Sequence, residues 1–189
     1  MKILVLGDVM GGSGRKAIKK NLSKIINDNE IDFTIINGEN STDSGRGITK
    51  SIAEDFFLQG VDVITSGNHI WDQKETTEFI KEEKRLLRPE NSLKPVPGDG
   101  FGIFKSKNNK RVAVINLMAN VFMKKSEDVF ETAKHFIKKV KLKVDADFIV
   151  VDLHGETTSE KMAMAYFFDG KVTILVGTHT HVPTSDHRV

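Results

Sequence analysis

Short apolar runs alternate with segments whose apolar residues recur at helical spacing through the first half of the chain. Residues 3–6, 33–36 and 61–64 have the length and composition of buried strands. After the first of them comes a loop, 7–14. A helix follows, with Ala17, Ile18, Leu22, Ile25 and Ile26 on one face. Residues 49–59 predict a second helix with Gly60 as its C-terminal stop, and a third is expected over about 74–84. This β-α-β-α-β-α order is that of a mainly parallel sheet. The middle departs from it. Pro89, Pro95 and Pro97 with Gly98 and Gly100 predict an irregular connection. Residues 101–105 and 111–117 predict a hairpin around Lys107-Asn108-Asn109, hence antiparallel strands joined to the parallel ones or stacked on them. Val129, Phe130, Ala133, Phe136, Ile137 and Val140 give another amphipathic helix. A strand over 148–153 ends at His154, and Thr157 with Glu160 opens a helix through Phe168. Residues 172–176 form the last predicted strand.

Composition narrows the chemistry. A chain of 189 residues, 39% of them hydrophobic and 29% charged, suits one soluble domain, 1–189. It stops eight residues after His181, where an α/β domain would continue, so a C-terminally short domain is expected. The formal charge of +2 implies no large nucleic-acid footprint, although a local basic patch, a nucleic-acid partner and a homo-oligomer all stay open. With no cysteine, any metal must be held by nitrogen and oxygen. The opening apolar run is too short for a signal peptide, and no stretch approaches a membrane span, so the cytoplasm is the expected compartment.

The candidate chemistry lies just past the ends of the predicted strands: Asp8, Glu39 with Asn40, Asn68 with His69, His154, and His179 with His181. In an open α/β sheet such positions converge on one crevice. A lone acid after a strand is usually a turn residue or helix cap. Together these residues supply carboxylate, amide and imidazole donors suited to manganese, iron or zinc. For His179 and His181 to face one centre, their backbone must bend or loop. His135, beside the apolar face of a helix, and His187, near the chain end, are assigned no role. Gly12-Ser13-Gly14-Arg15-Lys16-Ala17 fits a dinucleotide fingerprint with Glu39 at a suitable distance, so a Rossmann-like nucleotide-binding domain using the 11–14 loop is the rival reading. Against it, Asp8 would repel a pyrophosphate, and the fingerprint leaves Asn68, His154, His179 and His181 without a task.

The ordered motifs GDVMG, NGEN, GNHIWD, HGETTSEK and GTHTHVPT, spread from Met1 to the last residue, resemble the YmdB-like branch of the calcineurin-type metallophosphoesterases. Met10 replaces the histidine of the wider superfamily and Glu39 its usual aspartate, both as in this branch. Gly155 stands where alanine is expected. The resemblance implies an α/β fold: a β-sandwich of mixed sheets flanked by helices in α/β/β/α layers, lacking its last strands. It implies a phosphodiesterase acting on 2′,3′-cyclic nucleotides with a dinuclear iron or manganese centre, zinc being a third candidate. Asp8, Glu39, Asn40 and His181 would surround one ion. Glu39 would bridge to the other, completed by Asn68, His154 and His179. Catalysis would run by metal-activated hydroxide, with His69 as proton donor and Asn40 also touching a phosphate oxygen. A catalytically weak regulatory protein that keeps the metal site is a further alternative. Trp71 would either stack on a base or pack locally, and Arg46 would either contact phosphate or remain solvated.

Overall fold

The computed structural model describes residues 1–189. The elements run β1 (Ile3–Asp8), α1 (Gly11–Asp28), β2 (Phe33–Asn37), α2 (Lys50–Leu58), β3 (Val63–Thr65), α3 (Thr76–Phe79), β4 (Phe101–Lys105), β5 (Arg111–Met118), α4 (Val129–Lys139), β6 (Phe148–His154), α5 (Thr158–Phe168) and β7 (Ile174–Thr178). Strands β1-β2-β3 form a parallel sheet. Strands β4-β5-β6-β7 form a second, in which the β4-β5 hairpin is antiparallel and the other pairs are parallel.

Side chains alternate between the two faces of each strand, and this separates three apolar clusters. Phe33, Ile35, Val63, Val112, Val114 and Val150 meet between the sheets. Their neighbours Ile36 and Ile64 pack under Leu22 and Ile26 of α1 and Ala53 and Phe56 of α2. Ala113, Ile115, Ile149 and Val151 pack under α4 and α5. The result is four layers, α/β/β/α, in a mixed α/β fold with two sheets flanked by helices.

The inner face changes character toward the carboxyl ends of the parallel strands. Continuing each inward series gives Asn37, Thr65, Asn116, Asp152, His154 and Thr178, all buried. Asp8 joins them through a bulge. The β1-β2 register shifts between Leu6 and Asp8, so that Asp8 pairs with the inward-facing Asn37. An extra residue in a strand re-aims the side chain that follows it.

Three expectations need correction. The segment 11–14 is the first turn of α1 rather than a loop. Ala17 and Ile25, both placed on the buried face, are exposed, the inward positions being Leu22 and Ile26. The helix expected over 74–84 is reduced to the single turn α3. The chain after α3 is drawn into an extended path beside β3, with the Ile64 amide donating to Arg85 O and the Leu87 amide to Ile64 O, both at 2.8 Å. Pairing along the sheet edge outweighs the modest helical preference of Thr76-Thr77.

Candidate metal centre

Three side-chain atoms crowd around His154. Its Nε2 lies 2.8 Å from Glu39 Oε1, 3.1 Å from Asn68 Oδ1 and 3.1 Å from His179 Nδ1. His154 and Glu39 are buried to 0% and 1% exposure. A proton on Nε2 could serve only one of these three neighbours. Glu39 Oε1 is buried, and its 2.8 Å approach to His154 Nε2 is not aligned as a hydrogen bond, which is costly for a carboxylate oxygen. The other Glu39 oxygen accepts the His69 amide at 2.9 Å. Burial alone would raise the Glu39 pKa, but the adjacent His154 and the His69 amide outweigh it and hold the carboxyl below its usual range. On His154 burial works to lower the pKa, and Glu39 more than offsets it. His179 is pushed down, first by burial and then by the charge of His154. A cation would satisfy all the facing lone pairs at once, and oxygen with imidazole nitrogen is a suitable donor set for one.

The surroundings orient these side chains. Three donors converge on the fully buried Asp152: the Thr178 hydroxyl at 2.7 Å, the Thr65 hydroxyl at 2.6 Å and the Asn37 amide at 3.1 Å. Burial pushes the Asp152 carboxyl up, against those hydrogen bonds. Because Thr178 donates to Asp152, its oxygen accepts from His154 Nδ1 at 2.9 Å. The Nε2 lone pair therefore faces Glu39, Asn68 and His179. His179 is set similarly, with Nε2 3.1 Å from Glu156 Oε2 and Nδ1 turned inward. Imidazole ligands tethered in this way through the second nitrogen are usual at metal sites. The sequence reading missed the role of Asp152. Its signal was a lone acid at an inward position of the apolar run Phe148–His154.

A second group adjoins the first. His181 Nε2 lies 3.1 Å from Asp8 Oδ2 and 3.3 Å from Asn40 Oδ1, and the His179 amide donates to Asp8 Oδ1 at 3.2 Å. Asn40 Nδ2 donates to Gly45 O at 2.9 Å, which turns its oxygen toward His181. The expected bend is present. His179 (φ 99°) and His181 (φ 54°) both occupy left-handed backbone, and their rings address different groups. Such strained residues gather at functional sites. All eight candidate residues thus meet at one end of the sandwich.

His69 stands beside this pair of groups, its Nδ1 2.7 Å from Asp72 Oδ2. Lys124 lies 3.4 Å from the other Asp72 oxygen. Burial alone would raise the Asp72 pKa, but His69 and Lys124 hold it down. Asp72 thus accepts the Nδ1 proton and leaves Nε2 as the free ring nitrogen. Gly67 makes room for the cluster, since a Cβ there would run into His154 and Glu39. An alanine at Gly155 would likewise collide with Ala119.

The glycine segment serves packing. The Gly11 amide donates to Asn40 O at 2.8 Å, and Gly14 lets α1 close onto Val9. Arg15 binds Ser41 O and pairs with Asp43 at 2.7 Å, so the loop after Asn40 lies across this helix start. That carboxylate disfavours a pyrophosphate there. His135 bonds only to Glu131 O in its own helix, and His187 lies in the exposed end segment. The Trp71 side chain packs partly against the first sheet's helical core. No helix is long and apolar enough to cross a membrane.

The family described as YmdB-like protein matches residues 4–189. A Bacillus subtilis protein named 2′,3′-cyclic-nucleotide 2′-phosphodiesterase is 41% identical over 189 residues, spanning 100% of this chain and 70% of that one. The crystal structure of a hypothetical protein from Thermus thermophilus matches with TM-score 0.90 and 35% identity, over 98% of this chain and 70% of that one. A structure described as a novel phosphatase, from Mycoplasma pneumoniae, matches with TM-score 0.89 and 38% identity, over 100% of this chain and 67% of that one.

Proposed function

From membership of the YmdB-like family, to which the chain belongs, we propose that this protein is a metal-dependent phosphodiesterase that hydrolyses 2′,3′-cyclic nucleotides. The name of the Bacillus subtilis relative supports the substrate class. One observation carries the metal reading: Glu39 Oε1, buried without a well-aligned hydrogen bond among the facing atoms of Asn68, His154 and His179. In this reading Asp8, Glu39, Asn40 and His181 hold one ion, and Glu39, Asn68, His154 and His179 hold the other. Iron or manganese suits such donors, and zinc is compatible with them. When bound, the pair supplies Lewis acidity toward the phosphate and the attacking water.

The chain's own groups do the rest. Asp72 orients the His69 ring through Nδ1, and in the doubly protonated ring Nε2 delivers its proton to the departing ribose oxygen and returns to the neutral Nδ1–H form. The Asn40 carboxamide spends one N–H on Gly45 O and keeps the other for a phosphate oxygen. Hydrolysis of 2′,3′-cyclic AMP by the wild type and by His69→Ala tests this assignment. The wild type should turn over. The variant should keep its metal content and lose about 10²–10⁴-fold in kcat, the usual contribution of a general acid. Equal turnover by the two proteins would rule out the proton-donor role.

A further inference from the structure

Beside Asn68 lies a second concavity, of about 210 Å3, with a different character. Ile70, Trp71, Pro89, Leu93, Val96 and Met118 give it an apolar wall, and Leu93 is left 42% exposed. Two lysines also line it. Lys124 donates to Asn68 O at 2.6 Å and lies 3.4 Å from Asp72. Lys125 makes no ion pair. Asn68 belongs to both places, because its Oδ1 faces His154 Nε2 while the residue lines this cavity. A phosphate ester held at the metal centre would therefore lie next to an apolar slot with a cationic edge.

We propose that this cavity is the subsite for the base of a nucleotide substrate, an inference that rests on the phosphodiesterase reading for its substrate class. The volume suits one heteroaromatic ring system, being smaller than the ~300 Å3 at which drug-sized pockets begin. An indole in the wall offers a stacking surface that accepts any base. Lys125 supplies a free donor for the oxygen and nitrogen atoms on a base edge. A lipid chain would need a longer apolar channel, and the lysines suit an electron-rich ligand.

Trp71 is the chain's only tryptophan, so tryptophan emission reports on the surroundings of this one cavity-lining side chain. Adenosine 2′-monophosphate and the base-free ribose 5-phosphate would be titrated in parallel against the metal-loaded protein. The nucleotide should change Trp71 emission saturably and bind about 5–150-fold more tightly than ribose 5-phosphate, the range that base stacking provides. Val96→Phe, which fills the slot, should remove most of that advantage while metal content and ribose 5-phosphate binding stay as in the wild type. Equal wild-type affinity for the two ligands, or full retention of the advantage in a folded Val96→Phe protein, would overturn the proposal. Turnover of 2′,3′-cyclic AMP on the same sample separates the two claims. Base-dependent binding without turnover contradicts the phosphodiesterase reading and leaves the base subsite standing. Turnover with base-independent binding contradicts the subsite alone.

Discussion

At the scale of single residues, the proposed centre depends on hydrogen-bond direction as much as on which side chains face it. Asp152 only accepts, so the Thr178 hydroxyl points to it and the His154 Nδ1 proton points to Thr178. Asp152→Asn keeps the shape and reverses that logic. Its oxygen would stay with the donors Thr65 and Asn37, and its new amide would donate to Thr178. The Thr178 hydroxyl would then turn toward His154 Nδ1 and move the imidazole proton to Nε2, where it competes with a cation. Metal affinity should fall about 10–100-fold, the usual effect of altering a group behind a ligand, with little change in fold. Competition with a chelator of known affinity measures this, and an unchanged affinity would contradict the assigned direction. The eight residues that meet at this end of the sandwich were legible in the sequence because each lies at or just past the end of a strand-like apolar run. Asp152, Thr178 and Asp72 were not, since their roles depend on which atoms of distant strands face each other.

At the scale of elements, strands and long helices were readable from periodicity, and their departures have local causes. Helix α2 begins after Thr49, whose side chain caps the Ile52 amide, close to the predicted start. Helix α3 is cut short because 85–87 pair with β3, a long-range competition that local pattern does not reveal. The bulge that turns Asp8 inward was equally hidden, since the run before it gives no sign of an extra residue.

The pairing of β5 with β6 predicts a pH effect. At its edge the Arg111 backbone amide, and then its guanidinium, hold the Asp147 carboxyl below the usual carboxylate range. A depressed folded-state pKa stabilises the fold above the unfolded-state value of about 3.9, and that contribution is lost as pH falls through the lower folded value. Asp147→Asn should therefore lower Tm near neutral pH, and the gap from wild type should close as the solution is acidified below about pH 4. Thermal melts across that range check it, and a gap that persists unchanged into acid would contradict it.

At the scale of the whole molecule, two parallel arrays of strands direct their carboxyl ends to the same edge of a sandwich. The apolar residues between the sheets hold the arrays together, and the inward positions that follow them are polar. The four layers were foreseen through the resemblance of the motifs. The alternating pattern alone predicted only a mainly parallel sheet with a hairpin added. How the sheets stack decides that residues as distant as Asp8 and His181 become neighbours.

In the proposed function these side chains hold a pair of ions on which phosphodiester hydrolysis depends. Elemental analysis of bound metal, combined on one sample with the rate of 2′,3′-cyclic AMP hydrolysis before and after chelation, is the decisive experiment. About two ions per chain are expected, with turnover lost on their removal and restored by manganese or iron. Full turnover in metal-free protein, or a folded chain that takes up no metal, would contradict a dinuclear phosphodiesterase.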